Sequence, residues 1–399
     1  MNKNLANLMT VAEKKTRLII GLMSGTSLDG LDVALCQFSG AGYETNIDVL
    51  HFETVPYLKT FKQEIKTVFS KQTVDLEKLC LLNAWIGEQH ADMINGCLKK
   101  WNISNTQIDV IASHGQTVYH APKKLHRQNM FGNATLQIGD GDHIAMHTGI
   151  LTISDFRQKH IAAGGEGAPL AVYGDYLLFS KKNEDRIMLN IGGIANFTYL
   201  PGNLDSTQMF STDTGPGNTI MDAYIQQNFP DKYFDENASL AKNGIIHPAL
   251  LTALKENSFF GEGFPKTTGP ELFNLAYLQK AMQQSNTMAI GIENIVATLN
   301  RFSADTIVDA LQRTMLQNKY TVYPSGGGMH NPLLMQNIEQ QLPNASFGNM
   351  ADLNINPDAK EAVLFAVLAN ETLCGGNTVF EGAKTGIPNV SMGKISFPI

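Results

Sequence analysis

Apolar positions in this chain come in short runs that stop at glycine. Arg17-Leu-Ile-Ile-Gly21 is one and Leu31 to Phe38 the next, with Gly, Ser, Thr and Asp over Met23 to Gly30 between them. Apolar runs of that length bounded by turn residues predict buried strands. The segment therefore reads as strand, glycine-rich turn, strand. The same order returns at Arg186 to Ile191, with Gly192 and Gly193 as the turn and Ile194 to Leu200 as the resumed strand. Such an echo predicts two similar domains. Further strands are expected at Ile108–Ala112, Ala134–Ile138, Gly149–Ile153, Gln208–Ser211 and Tyr320–Pro324.

Between these runs the apolar spacing becomes helical. Helices are expected over Leu58–Phe69, Asp75–Trp101, Thr219–Asn228, Pro248–Glu256, Ala304–Asn318, Asn331–Gln341 and Pro357–Thr372. Ser303 suits an N-cap, and Pro332 suits a first turn. Residues 1–17 read as a poorly ordered or helical extension. Alternating strands and helices argue an α/β fold.

The chain has 399 residues, which suits two domains of about 150–200 residues each. Net charge is −7 and the pI about 5.8, with no basic stripe, so no nucleic-acid partner is expected. The four cysteines, Cys36, Cys80, Cys97 and Cys374, match neither a zinc ribbon nor a redox pair. They read as buried free thiols. No apolar run approaches the ~18–20 residues of a membrane span, and no apolar h-region follows Met1. A cytoplasmic location is expected. The ten histidines read as scattered, with no His-x-x-x-His helix expected, so no zinc site is expected.

Six constellations carry candidate chemistry. Gly21-Leu-Met-Ser-Gly25-Thr-Ser-Leu-Asp29-Gly-Leu-Asp32 offers backbone N–H groups and hydroxyls for an anion, and Asp29 and Asp32 for Mg²⁺. It lacks the Gly-Lys-Ser/Thr ending of a Walker loop, and a plain glycine hairpin is the alternative. Gly192-Gly193 is a second candidate phosphate clamp, or a tight turn. Ser325-Gly326-Gly327-Gly328 precedes a helix, whose N-terminus favours phosphate, or it is a loop that needs positive φ. Asp213, in Asp-Thr-Gly-Pro-Gly-Asn, is placed as a base, or it caps the next helix. Arg157 offers a fork for an anion, or it pairs with Asp155. Gln116 and Thr117, expected at a strand end after His114, are candidate sugar contacts, with His114 itself either base or structural.

Taken in order, these motifs resemble the anhydro-N-acetylmuramic acid kinase family. The matching segments are 21–32, Ser-His-Gly-Gln-Thr at 113–117, Asp-Phe-Arg at 155–157, Gly-Gly-Glu-Gly-Ala-Pro-Leu at 164–170, Leu-Asn-Ile-Gly-Gly at 189–193, Asp-Thr-Gly-Pro-Gly-Asn at 213–218 and Gly-Gly-Gly at 326–328. The resemblance implies two actin/hexokinase-like (ribonuclease H-like) domains flanking a nucleotide cleft. Residues 1–150 with 376–399 form the expected first domain, and 151–375 the second, which carries Asp213 and the nucleotide glycine turns.

The implied reaction opens 1,6-anhydro-N-acetylmuramic acid with water and phosphorylates O6 from ATP, with Mg²⁺, in peptidoglycan recycling. Asp213 matches the family's catalytic base. Gly25, Thr26, Ser27, Leu28, Asp29, Gly30, Leu31 and Asp32 match its ATP turn, with Gly192, Gly193, Gly326, Gly327 and Gly328 as further nucleotide contacts. Thr117, Arg157 and, on a looser match, Glu361 fall at the family's sugar contacts, and Gln116 stands with them as a sugar candidate read from its own segment. A homodimer is implied. Glu166 stands where glutamine is expected, and residues 1–17 and Lys124–Phe131 look like additions. The rival readings are a kinase of this fold for another sugar and a non-catalytic nucleotide-binding protein.

Overall fold

The computed structural model describes residues 1–25, 28–168, 170–315, 319–353, 355–375 and 389–399. The chain forms two compact units, Met1–Phe179 with Asn354–Ile399, and Ser180–Leu353.

The first unit holds β1 (Thr16–Ser24), β2 (Gly30–Ser39), β3 (Asn46–Pro56), β4 (Val110–Ala121), β5 (Ala134–Ile138) and β6 (Thr152–Ser154). The strands β1, β2 and β3 are antiparallel neighbours, and β4 and then β6 add on in parallel beyond β1. β5 pairs with β4, and a last short strand, Lys394–Ser396, runs antiparallel to β6. The second unit holds β7 (Asp185–Ile191), β8 (Ile194–Leu200), β9 (Phe210–Pro216), β10 (Tyr320–Ser325) and β11 (Ala345–Phe347). Here β7, β8 and β9 are antiparallel, and β10 and β11 follow in parallel beyond β7.

The two sheets thus share one plan, three antiparallel strands and then two parallel ones. A long helix joins the third strand to the fourth in each unit, Leu76–Trp101 in the first and Ile292–Met315 in the second. This is the ribonuclease H-like plan expected from the resemblance. Each unit has its own apolar core. Ile20, Leu22, Val33 and Ile111 pack against Ile86 and Ile94 in the first unit, and Ile187, Leu189 and Phe197 against Ile307 and Leu311 in the second.

Several elements differ from the sequence reading. β3 was not expected, because its residues alternate between exposed and half-buried and none is fully buried. β4 runs on to Ala121, so Gln116 and Thr117 lie inside a strand and not at its end. The helix expected from Ala304 begins at Ile292. Ser303 is therefore no cap: it is buried mid-helix and donates its hydroxyl to Gly217 O at 2.7 Å. The helix Gly141–Thr148 was also missed. Its Asp140 side chain accepts from Asp142 N, the Asx cap that starts it.

The unit boundaries fall after Phe179 and Leu353, whereas breaks after 150 and 375 were expected. β6 pairs with β4, and the Lys360–Cys374 helix packs on β1, which keeps both in the first unit. Cys36 and Cys97 are buried, but Cys80 is exposed and Cys374 half-buried. No helix among the described residues is long and apolar enough to cross a membrane.

Candidate active site

In the first unit the β1–β2 pairing closes with Ser24 opposite Leu31. The backbone then turns through Gly25 and Leu28, with Leu28 at φ +57°. Thr26 and Ser27 lie outside the described residues. Leu28 and Leu31 are buried in the core, so only their backbone is available to a ligand. Gly30 is forced by close approach, since a Cβ there would stand 2.6 Å from Val55 O.

Side chains brace this turn from behind. Ser24 Oγ donates to Gln116 Oε1, and Gln116 Nε2 donates to Gly25 O at 3.4 Å and Thr117 O at 3.2 Å. Tyr57 donates to Ser24 Oγ at 2.6 Å and lies 3.0 Å from His90 Nε2. Burial holds His90 down at about 4, so this imidazole stays neutral. Sequence reasoning missed Ser24, Tyr57 and His90 as bracing groups, because they come from three separate elements. The Gln116 amide is committed to the turn. Thr117 is half-buried and accepts from Gln137 Nε2 at 3.1 Å.

Asp32 accepts from Thr54 Oγ1, and its pKa is raised, first by burial and then by Asp29 and Asp358. Glu361 sits in the first turn of the Lys360–Cys374 helix. That helix lies against β1 because Gly21 has no side chain: a Cβ there would meet the Ala362 carbonyl. Glu361 keeps an exposed face, yet the surrounding protein raises its pKa by burial, against the pull of Arg157. Arg157 is half-buried, and burial brings its guanidinium down to about 10. Its Nε donates to His114 Nε2 at 2.8 Å and its Nη1 to Gly167 O at 2.6 Å. His114 thus orients Arg157. Asp155 pairs with Lys394 at 2.5 Å. The extra charge of Glu166 meets Lys124 at 2.9 Å, so this departure from the family pattern is answered by a cation from the apparent addition at Lys124–Phe131.

In the second unit three glycine motifs meet. Gly217 N donates to Gly193 O at 2.8 Å and Asn218 N to Gly192 O at 2.9 Å, so the end of the Asp213 motif is stitched to the β7–β8 turn. Gly326 has φ +79°, and a Cβ there would stand 2.5 Å from Asn190 Oδ1. At Gly328 it would stand 2.3 Å from Ile191 Cγ2. Gly327 differs: its nearest neighbour would be Asn218 Nδ2 at 3.9 Å, which leaves an open backbone face. Asn331 starts the helix Pro332–Gln341 behind this loop, accepting from Leu334 N at 3.0 Å.

Asp213 lies within β9 rather than after a strand, opposite Asn196 on β8. Thr212 and Thr214 on either side are buried, which sends the half-buried Asp213 side chain to the other face. Thr268 N donates to Asp213 Oδ2 at 2.8 Å, and Asp213 N donates to Lys266 O at 2.9 Å. The segment at Lys266–Thr268 therefore positions the carboxylate. No sequence signal marked it. Asp213 is not the cap of the following helix, where Asn218 holds the N-cap position.

The family model for anhydro-N-acetylmuramic acid kinase matches residues 17–395. A protein of Pseudoalteromonas atlantica named anhydro-N-acetylmuramic acid kinase is 57% identical over all of both chains. One of that name from Caldanaerobacter subterraneus is 38% identical over 98% of this chain and 99% of its own. Among solved structures, the activator of the 2-hydroxyisocaproyl-CoA dehydratase from Clostridium difficile with bound ADPNP is 12% identical. It covers 90% of this chain and 96% of that one, at a TM-score of 0.39.

Proposed function

The chain belongs to the anhydro-N-acetylmuramic acid kinase family, and we propose on that premise that Asp213 activates the water that opens 1,6-anhydro-N-acetylmuramic acid, whose freed O6 then takes the γ-phosphate of ATP. The products are N-acetylmuramic acid 6-phosphate and ADP, in cytoplasmic cell-wall recycling. The observation that carries the reading is the seating of Asp213. Its carboxylate is fixed by Thr268 N–H and stands four residues before a glycine turn stitched to Gly192 and Gly193.

Asp213 takes one proton from water as the water oxygen bonds to the anomeric carbon. The bond from that carbon to O6 breaks, and its electron pair goes to O6. O6 then bonds to the γ-phosphorus as the bond to the β-bridging oxygen breaks and leaves ADP. The proton on Asp213 returns to solvent. In the first unit, the turn at Gly25 to Asp32 binds phosphate through its backbone, and Arg157 takes the sugar's lactyl carboxylate, beside Thr117 and Glu361. In the second unit, Gly192, Gly193 and Gly326 to Gly328 bind the nucleotide.

Asp29 and Asp32 fit Mg²⁺, since both are hard oxygen donors and the raised pKa of Asp32 reflects in part the repulsion from Asp29 that a cation relieves. When bound, Mg²⁺ neutralises charge on the phosphate oxygens. Asp32→Asn is then expected to raise the Mg²⁺ concentration needed for half-maximal rate.

The test is turnover with Mg-ATP and the anhydro sugar in ¹⁸O water, quenched before mutarotation. ADP release with label at the anomeric carbon is expected. ADP release without label would point to phosphorylation of a free hydroxyl, and an untouched sugar would end the assignment.

A further inference from the structure

Away from these groups, the first unit brings together two histidines and a glutamate. His143 and His147 stand four residues apart on the helix Gly141–Thr148, so both rings leave one face. This is the helical His-x-x-x-His pair that the sequence reading passed over, because no helix was expected there. The long helix Leu76–Trp101 packs against that face and contributes Glu88. Glu88 Oε1 lies 3.3 Å from His143 Nδ1 and 4.0 Å from His147 Nε2. All three ligand atoms fall within 4.8 Å of one another.

The backbone fixes this approach independently of the three side chains. Gly87 lets the helices close up: a Cβ there would stand 2.8 Å from Asp140 O and 3.0 Å from His143 Cβ. Asn83 accepts from Gly139 N through Oδ1 and from Asp140 N through its carbonyl, both at 3.0 Å. Asn95 Nδ2 donates to His147 O at 3.3 Å. The short helix is pinned before its start and near its end, so the ligand side chains need only rotate.

We propose that Glu88, His143 and His147 form a binding site for one divalent transition ion of the zinc class, which staples the short helix to the long one. Two imidazoles and one carboxylate are the donors such ions take, whereas Mg²⁺ and Ca²⁺ take oxygens. Tetrahedral Zn²⁺ with bonds of about 2.0–2.1 Å holds its ligand atoms about 3.4 Å apart. The Glu88–His143 pair already has that spacing at 3.3 Å, and the other pairs, at 4.0 Å and within 4.8 Å, close by rotation of three partly exposed side chains. Water fills the remaining position. The site is structural and takes no part in phosphoryl transfer.

The experiment uses the purified full chain, stripped with chelator and titrated with Zn²⁺, and with Co²⁺ as a spectroscopic stand-in. About one ion per chain, visible d–d bands of Co²⁺ and an upward shift in melting temperature with Zn²⁺ are expected. His143→Ala, His147→Ala and Glu88→Gln should each weaken binding by more than the roughly 10–100-fold that loss of an outer-shell partner costs. Each should keep the melting temperature of the stripped protein and its kinase turnover. Equal Zn²⁺ uptake by wild type and the His143→Ala/His147→Ala double variant would place the ion elsewhere and overturn the proposal. Absence of Co²⁺ bands and of any Zn²⁺-induced shift in wild type would do the same.

Discussion

Asn at position 213 keeps an oxygen for Thr268 N–H but no longer takes a proton from water. Asp213→Asn is therefore expected to bind ATP normally, to keep its melting temperature and to lose about 10²–10⁴-fold in kcat. Isothermal titration beside an ADP-release assay separates the two effects. Undiminished turnover would remove the base role. Arg157→Lys tests a different residue. Lys lacks the fork that reaches both His114 Nε2 and Gly167 O. The KM for the sugar should rise about tenfold or more, with a smaller change in kcat. At this scale the sequence was legible where a motif singles out a candidate, as at Asp213, whose half-buried carboxylate accepts from Thr268 N. It was not legible where neighbours come from afar, as Thr268 and Tyr57 do. Gln116 shows the limit: a polar residue expected at a strand end lies within a longer strand, fully buried, with its amide turned to the Gly25 carbonyl.

The glycine loop after β10 separates fold from ligand within one element. Gly326→Ala places a side chain at φ +79° and against Asn190, and should lower stability by roughly 1–3 kcal/mol in a denaturant melt. Gly327→Ala meets open space, so the fold should survive while the KM for ATP rises. The helix Thr219–Asn228 carries a pH test. Asp222, in its first turn, is pushed by burial from 3.8 up to about 6. The folded state then binds more protons than the unfolded one between those values, so stability falls as pH rises through that window. Asp222→Asn should flatten that slope and add about 1 kcal/mol at pH 8, after allowance for solvent screening and for the helix dipole. Elements with continuous apolar runs, such as β1 and β7, were readable. β3 and the helix Gly141–Thr148 were not, because one alternates polar residues and the other is only a few turns long.

At the scale of the whole molecule, one sheet plan is used twice. The second unit is a contiguous piece of chain, whereas the first is made of two pieces, and each unit has its own core. A fragment spanning 180–353 should therefore melt cooperatively by itself. A fragment spanning 1–179 should not, because it lacks the helix that packs on β1. Circular dichroism of the two fragments reads this directly. The echo was visible in the sequence only as two glycine turns between strands, because topology is conveyed by pairing and not by residue identity.

The same nesting sets a timetable at the ribosome. The groove over Gly21 stays uncovered until the Lys360–Cys374 helix has been made, while everything the second unit needs is complete at Leu353. At about 5–20 residues per second, the N-terminal sheet waits some tens of seconds for its partner. The piece translated first is thus the last to mature. Its bare apolar face during that interval is where a nascent-chain chaperone has most to protect.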